Sequence, residues 1–491
     1  MEHLRENYLK VSTSYSSDAI DVRINGRNYS ILYPKYIWSP LPNAIKQSIA
    51  DHAAFLATNY LPLLLKKKGV IYDTRLPVFE AFSFKSMIYD LPSSAFLDAK
   101  NTADYLRDYY NLDFIFKSKA PIVSSKSFKP QKTAIVSFTS GKDSMLTLAV
   151  CRELGLQPIL ISVTEPSNTY ELKHKKRILQ HLEEEFGITY HIITNELGHL
   201  HDAKSLGVEE TSLGWGNQLM YYLFLFLPFI FHYRASYLFY GNELSCDTEI
   251  VNPEGFRANF CYDQSSHSTT QLDIIMRTLT SGATKVGSLV GPLNEFAIMK
   301  CLHEGFPQLA KYQMSCFCDE EISEEYRWCC NCSKCARNYS FLKALGVDPY
   351  KLGFWRDMFQ EACLSLFSVF NGEQTYGFDR SGLGRGEQEL ALHLAAQRSP
   401  ENEFLKEISG KLRYSNNGEH SDEAERLVQK DYNYYCGIHD SQALPKELRQ
   451  RVRAIYKRIL MARAPTDQIL PTEAQAKLLD AETDDNEPDL E

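Results

Sequence analysis

Two short clusters in this chain carry residue types that could do chemistry. The first is Thr139-Ser140-Gly141-Lys142-Asp143-Ser144, which follows the apolar run "TAIVSF". A turn of small residues opening a helix presents backbone N–H groups that have no intrahelical partner, and the helix dipole adds positive potential at the same end. Such a turn cradles an anion. Gly141 allows close backbone approach, Lys142 supplies a full charge, and Thr139, Ser140 and Ser144 supply hydroxyls. Asp143 suits the first helical turn and could hold Mg²⁺ by way of a phosphate. The segment is not a Walker loop: Val136 stands where that motif needs glycine, and Lys142 is followed by aspartate. The reading expects an open crevice beside Lys142; a bend packed away from any crevice, or an amine already tied up by a buried acid, would end the case for it.

The second cluster is "SCFCDEEISEEYRWCCNCSKCARN", which holds six of the twelve cysteines within residues 316–335. Cys329, Cys332 and Cys335 form a Cys-x2-Cys-x2-Cys run, with Cys316 thirteen positions upstream of Cys329. Four thiolates at such spacing suit tetrahedral Zn²⁺, with an iron–sulfur cluster as the alternative. Cys318 and Cys330 are spare, and Cys330, adjoining Cys329, is expected to point elsewhere. A closed four-cysteine site is structural, so it carries no catalytic role.

The elements that must position the first cluster alternate in the sequence. "TAIVSF", "QPILISV" and "ITYHIIT" read as strands; "DSMLTLAVCRELG" and "ELKHKKRILQHLEEEFG" read as helices closed by Gly155 and Gly187. Continuous apolar strands between amphipathic helices predict an α/β fold, a parallel sheet with helices on both faces, whose ligands bind outside the carboxyl ends of the strands. Residues 1–125 read as an α+β domain without a chemical motif, in which Asn25-Gly26 turns a hairpin and Pro62 breaks a helical pattern. Residues 346–465 read as helical, and 466–491 as an acidic, disordered tail.

Composition narrows the classes. Apolar residues make up 44% and charged residues 23%, as in ordinary globular proteins, while the formal charge of −9 argues against nucleic acid as a partner. The start has no apolar signal region, and "YYLFLFLPFIF" is too short to span a bilayer, so a cytoplasmic protein without a membrane partner is expected. Weaker candidates lose to plainer readings. His199, His201 and Asp202 read as a surface loop, Asp247 and Glu249 as a solvated loop, and Cys246 as a poor candidate nucleophile. "VTEP" (163–166) and "TNEL" (194–197) are either nucleotide contacts or strand-exit turns.

The first cluster resembles the Ser-Gly-Gly-Lys-Asp-Ser signature of the PP-loop, or N-type, ATP pyrophosphatases, with Thr139 and Ser140 departing from its commonest form. A PP-loop followed by Ser-Cys, a gap and Cys-x2-Cys-x2-Cys is similar to 7-cyano-7-deazaguanine synthase and its relatives, over residues 132–345. "YGNELS" (240–245) resembles their Gly-Asn-Glu segment, and "WGNQLMYYLFLFLPF" (215–229) their Arg-Asn and apolar-helix segment, with Gly216 where arginine is usual. "VGPLNEFAIMKCLHEG" resembles the helix before their zinc site.

The resemblance implies an adenine nucleotide α-hydrolase-like, Rossmann-like core. It also implies ATP and Mg²⁺ as cofactors beside Zn²⁺, and ligase-like transfer of AMP to a carboxylate or carbonyl with release of pyrophosphate. By the same resemblance, Lys142, Asp143 and Ser144 are the catalytic positions. Ser137, Thr139, Ser140, Gly141, Asn217, Gly241, Asn242 and Glu243 bind the nucleotide or line the substrate side, and Cys316, Cys329, Cys332 and Cys335 hold the metal. The acceptor would be a carboxylate on a small molecule or peptide conjugate, and a homodimer is compatible with this reading. The muramoyl-peptide L-glutamate epimerase has a similar extended layout and a Trp-Cys-x2-Cys-x-Lys-Cys run. Synthase-like anti-phage proteins, which modify macromolecules, form a third group, and transfer-RNA thiolation or lysidine-type enzymes a more distant one. A nucleotide-binding module without turnover is the alternative of another class.

Overall fold

The computed structural model describes residues 7–119, 125–164, 169–316, 318, 320–370, 379, 382–415 and 421–461. The acidic tail expected at 466–491, and Glu165 and Pro166 of "VTEP", lie outside them. The strands are β1 (Tyr8–Tyr15), β2 (Ala19–Ile24), β3 (Arg27–Leu32), β4 (Gly69–Arg75), β5 (Asp113–Ser118), β6 (Gln131–Ser137), β7 (Gln157–Thr164), β8 (Thr189–Asn195), β9 (Ala235–Phe239), β10 (Ile250–Val251), β11 (Arg257–Ala258) and β12 (Lys285–Gly287). Apart from the small β10–β11 pair, they form one sheet in the order β12-β9-β6-β7-β8-β3-β2-β1-β4-β5.

The half from β12 to β8 is parallel throughout. Its central strands are buried without alternation: Ala134, Ile135, Val136, Ile159, Leu160 and Ile161 have no exposed surface. That explains their continuous apolar runs. The other half begins with the β2–β3 hairpin, where Ile24 pairs Arg27 and both Asn25 (φ 48°) and Gly26 (φ 92°) take the positive φ of a type I′ turn. β3 then runs antiparallel to β8 through Ile31↔Asn195 and Leu32↔Thr194. The strands before residue 118 and those after residue 131 therefore share one sheet.

The main helices are α1 (Asn43–Leu56), α2 (Glu80–Leu97), α3 (Lys142–Glu153), α4 (Thr169–Phe186), α5 (Gln218–Tyr233), α6 (Ser266–Leu279), α7 (Glu295–Gly305), α8 (Ser333–Ala344), α9 (Arg385–Arg398), α10 (Ser421–Tyr435) and α11 (Arg449–Leu460). The protein is thus α/β, a large, mostly parallel sheet flanked by helices. The apolar run at 221–231 lies in α5, where Leu223, Phe224, Leu225, Phe226 and Phe229 have at most 0% exposure, a helix apolar all round because it is buried all round. No described helix is long and apolar enough to cross a membrane.

The chain divides into two compact units. One comprises residues 1–139, 151–291 and 441–445 and carries the sheet; the other comprises 140–150, 292–440 and 446–491.

Candidate functional site

In the sheet-bearing unit, the chain goes from β6 outward through β7 to β8, then returns to the opposite side of β6 as β9. The direction of strand order reverses at β6, and open α/β sheets bind ligands at such a point, outside the carboxyl ends of the strands. Val136 on β6 pairs with Phe239 on β9, so Ser137 to Thr139 and Tyr240 to Asn242 leave neighbouring strand ends. The expected nucleotide residues Ser137, Thr139, Gly241 and Asn242 meet there.

The turn after Thr139 opens the other unit. Ser140 is left-handed (φ 64°), and its carbonyl accepts the Met314 N–H at 2.8 Å. Its Oγ is buried and has no hydrogen-bond partner among the described residues. A left-handed conformation costs a residue with Cβ about 1–2 kcal/mol. Ser140→Gly is therefore expected to stabilise the protein by about 0.5–1 kcal/mol after glycine's extra unfolded-state entropy is subtracted. Urea unfolding measures it; a loss of stability would show that the serine hydroxyl is bonded after all.

α3 begins at Lys142. Ser144 Oγ donates back to the Gly141 carbonyl at 3.1 Å, closing the first turn. Lys142 is 5% exposed, and its ammonium donates to both Asp143 oxygens (3.1 and 3.0 Å) and to Glu295 Oε1 at 3.1 Å. Glu295, the first residue of α7, is also buried; its Oε2 lies 3.3 Å from Arg337 Nε, and Arg337 Nη1 lies 2.9 Å from Asp379 Oδ1. A chain of five charges results: Asp143, Lys142, Glu295, Arg337, Asp379. Burial alone would raise the Glu295 carboxyl, but Arg337 and then Lys142 outweigh it and hold it below the ordinary carboxylate range. Burial raises Asp143 despite Lys142, so Asp143 is the less secure of the two lysine partners. The lysine is not the free cation that the sequence led us to expect.

The four cysteine sulfurs of Cys316, Cys329, Cys332 and Cys335 lie within 4.8 Å of one another, and no other such group of His, Cys, Asp or Glu occurs among the described residues. Zn–S bonds of about 2.3 Å in a tetrahedron need sulfurs about 3.8 Å apart; Cys329 and Cys335 are 3.8 Å apart. Backbone N–H groups point at the sulfurs: Cys318 and Cys329 donate to Cys316, Asn331 to Cys329, and Cys335 to Cys332, at 3.3–3.4 Å. Such donors offset thiolate charge, so the donor set fits a metal such as zinc. Cys318 (φ 56°) and Cys330 (φ 52°) are left-handed, which bends each turn. The Cys330 thiol faces the Trp328 carbonyl, while the Cys318 thiol reaches both the Arg327 carbonyl and the Cys316 sulfur. Trp355 Nε1 and Arg356 Nη2 bond the carbonyls of Cys329 and Cys330 from the following segment.

The remaining expectations separate. Asn242 Nδ2 donates to Thr269 Oγ1 at 3.0 Å, and Glu243 caps the turn at 244–247 by accepting from the Ser245 N–H at 2.7 Å. Both hold the β9 exit in shape. Asn217 is 2% exposed, with neither side-chain atom hydrogen-bonded. Asn195 accepts from the Tyr221 hydroxyl and Glu196 from the Ser30 N–H, so "TNEL" serves the junction with β3. His201 is stacked between Tyr60 and Trp215, and burial lowers it to about 4, so the ring is neutral. The Cys246 thiol is pushed up by Cys261 first and then by burial, which disfavours the nucleophilic thiolate. Asp247 accepts the Ser266 N–H, and Glu249 lies 3.7 Å from Arg257.

Glu295, Arg337 and Asp379 are the site residues that sequence reasoning missed. Two of them had a signal: Glu295 sits in the "VGPLNEFAIMK" segment, and Arg337 follows Cys335 by two positions. Compared with models of known protein families and with curated proteins, the chain matches none.

Proposed function

We propose that the protein is a PP-loop ATP pyrophosphatase, with an adenine nucleotide α-hydrolase-like core, that adenylates a carboxylate or carbonyl oxygen. The carrying observation is the reversal of strand order at β6, from which the Thr139–Ser144 turn runs directly into α3. The order β8-β7-β6-β9-β12 follows the doubly wound pattern of nucleotide-binding sheets. The buried, unpartnered Ser140 hydroxyl and the first N–H groups of α3 suit a phosphate.

In this reading an acceptor oxygen attacks the α-phosphorus of ATP. The bond between the α-phosphorus and the bridging oxygen breaks, and pyrophosphate leaves with the electron pair. Lys142 and the turn N–H groups stabilise the charge that develops on it. The charge chain counts two cations against three carboxylates. It therefore favours a triphosphate that arrives with a divalent cation, and Asp143 would help hold Mg²⁺, whose charge offsets that of the phosphates. Binding requires Asp143 to leave the Lys142 ammonium while Glu295 keeps it aimed.

A second reading has its own observation. Because Lys142 is saturated by Asp143 and Glu295, the lysine could serve packing alone, in a nucleotide-binding module without turnover. Product analysis separates the two. Incubated with ATP and cell extract, the protein should form AMP, pyrophosphate and an adenylated species visible by mass spectrometry. Lys142→Ala should lower the rate by about 100-fold or more, the loss typical of one preorganised charge donor. ADP and phosphate as products would reject adenylation; tight ATP binding without AMP would establish the module.

A further inference from the structure

In the sheet-bearing unit, the turn that starts α5 lies between two buried carboxylates. The Gly216 N–H bonds Asp90 on α2, and the N–H groups of Leu219, Gln264 and Asp263 itself bond the Asp263 carboxylate. A Cβ at Gly216 would lie 2.4 Å from the Asp90 Cβ and Cγ, so any side chain there, the arginine usual in the synthases included, would collide with the carboxyl group. Asp90 also accepts from Ser94 Oγ at 3.2 Å. Each aspartate is 8% exposed; the Asp90 charge adds to the rise of the Asp263 carboxyl, and Asp98 adds to that of Asp90. Among the described residues, no lysine, arginine or histidine pairs with either one. On the same turn, the buried Asn217 amide has both its Oδ1 and its Nδ2 unpartnered.

Native proteins seldom leave such groups buried and unmatched. Two carboxylates without a cation partner and an amide with both ends open call for positive charge, several N–H donors and one acceptor oxygen. A divalent metal would satisfy the oxygens and leave Nδ2 without a partner. We propose that Asp90, Asp263 and Asn217 form a recognition subsite for a primary ammonium group with a neighbouring oxygen, carried by the acceptor. The three N–H bonds go to the two carboxylates and Asn217 Oδ1, and Asn217 Nδ2 donates to the neighbouring oxygen. Flanking carboxylates keep the amine protonated and without a lone pair, so it is recognised and not consumed. That the ammonium belongs to the acceptor rests on the adenylation reading; the subsite itself does not.

The test follows the thermal melting of the full, zinc-loaded chain at pH 8 in ethanolammonium chloride, with tetramethylammonium chloride at equal ionic strength as control. Ethanolammonium should raise the melting temperature in a saturable way, and tetramethylammonium, which has no N–H, should not. Asp263→Asn and Asp90→Asn, which remove unpaired charge and so are expected to fold, should each weaken the effect about ten-fold or more. Asn217→Ala should abolish the preference for ethanolammonium over methylammonium. Equal shifts from both salts would overturn the proposal, as would unchanged binding in the aspartate variants, or saturation by Mg²⁺ or Ca²⁺ in place of the amine. The assay contains no ATP, so its failure is distinct from failure to form AMP.

Discussion

If the four thiolates hold zinc, its removal is expected to unfold the unit that carries Lys142. Coordination of Zn²⁺ by structural thiolate sites is worth about 10–16 kcal/mol near neutral pH, more than the entire stability of most domains. Here the loss has a defined route. Cys332 caps α8 by accepting the Cys335 N–H, Cys335 is itself in its first turn, and Arg337 follows two residues later. Arg337 holds Glu295, and Glu295 holds Lys142. Without the metal, four thiols crowd together at the cap, α8 loses its anchor, and Lys142 loses one of its carboxylate partners. Chelation should lower the melting temperature by more than about ten degrees, since even 1 kcal/mol shifts the midpoint of a mid-sized domain by about 2–4 degrees. Metal analysis checks the ligand set. The wild type and Cys330→Ser should keep one zinc per chain, because the Cys330 thiol faces the Trp328 carbonyl. Cys332→Ser should lose it and melt like the chelated protein. Retention of zinc by Cys332→Ser, or its loss in Cys330→Ser, would refute the assignment.

How much of this could be read from the sequence depended on the range of each interaction. The run from β6 to β8 could be read because strands buried on two faces need continuous apolar residues, and because Gly155 and Gly187 supply the positive φ that ends their helices. Asn25-Gly26 and the cysteine spacing are equally local. The pairing of β3 with β8 could not be read, since nothing near Ile31 indicates that its partner lies at Asn195. Nor could the fate of Lys142: Glu295 is 153 positions away, and a glutamate at a helix start looks the same whether it caps, dangles or clamps a lysine. Asp90 was hidden for a similar reason. In the sequence it is one acid in an amphipathic helix, and only the close approach of Gly216 sets it beside a second carboxylate.

At pH 8, Asp90→Asn and Asp263→Asn are each expected to make the protein more stable than the wild type. Burial raises both carboxyls from 3.8 to about 7, with Asp98 adding to the rise at Asp90 and Asp90 adding to the rise at Asp263. A folded-state value above the unfolded one means that the folded protein binds more protons between those limits. Stability from these groups is therefore present in acid and lost as pH rises from about 4 through 7. A shift of that size corresponds to about 4 kcal/mol per group once titration is complete, as an upper figure, and the two are not additive because Asp90 contributes to the rise of Asp263. The variants should thus converge with the wild type near pH 4, diverge steadily between about pH 4 and 7, and keep a constant difference above that. His52 and His201 act in the opposite sense: burial lowers each from 6.5 to about 4, so their contribution is lost as pH falls below 6.5. Because both histidines are present in every variant, the difference curve isolates the aspartates. A difference that stays flat with pH, or an asparagine variant less stable at pH 8, would mean that a cation inside the protein already neutralises the pair. The same curve links stability to binding. If ethanolammonium fills the subsite, its addition at pH 8 should stabilise the wild type and act on the asparagine variants only at about ten-fold or higher concentration, narrowing the gap that burial of the two charges opens.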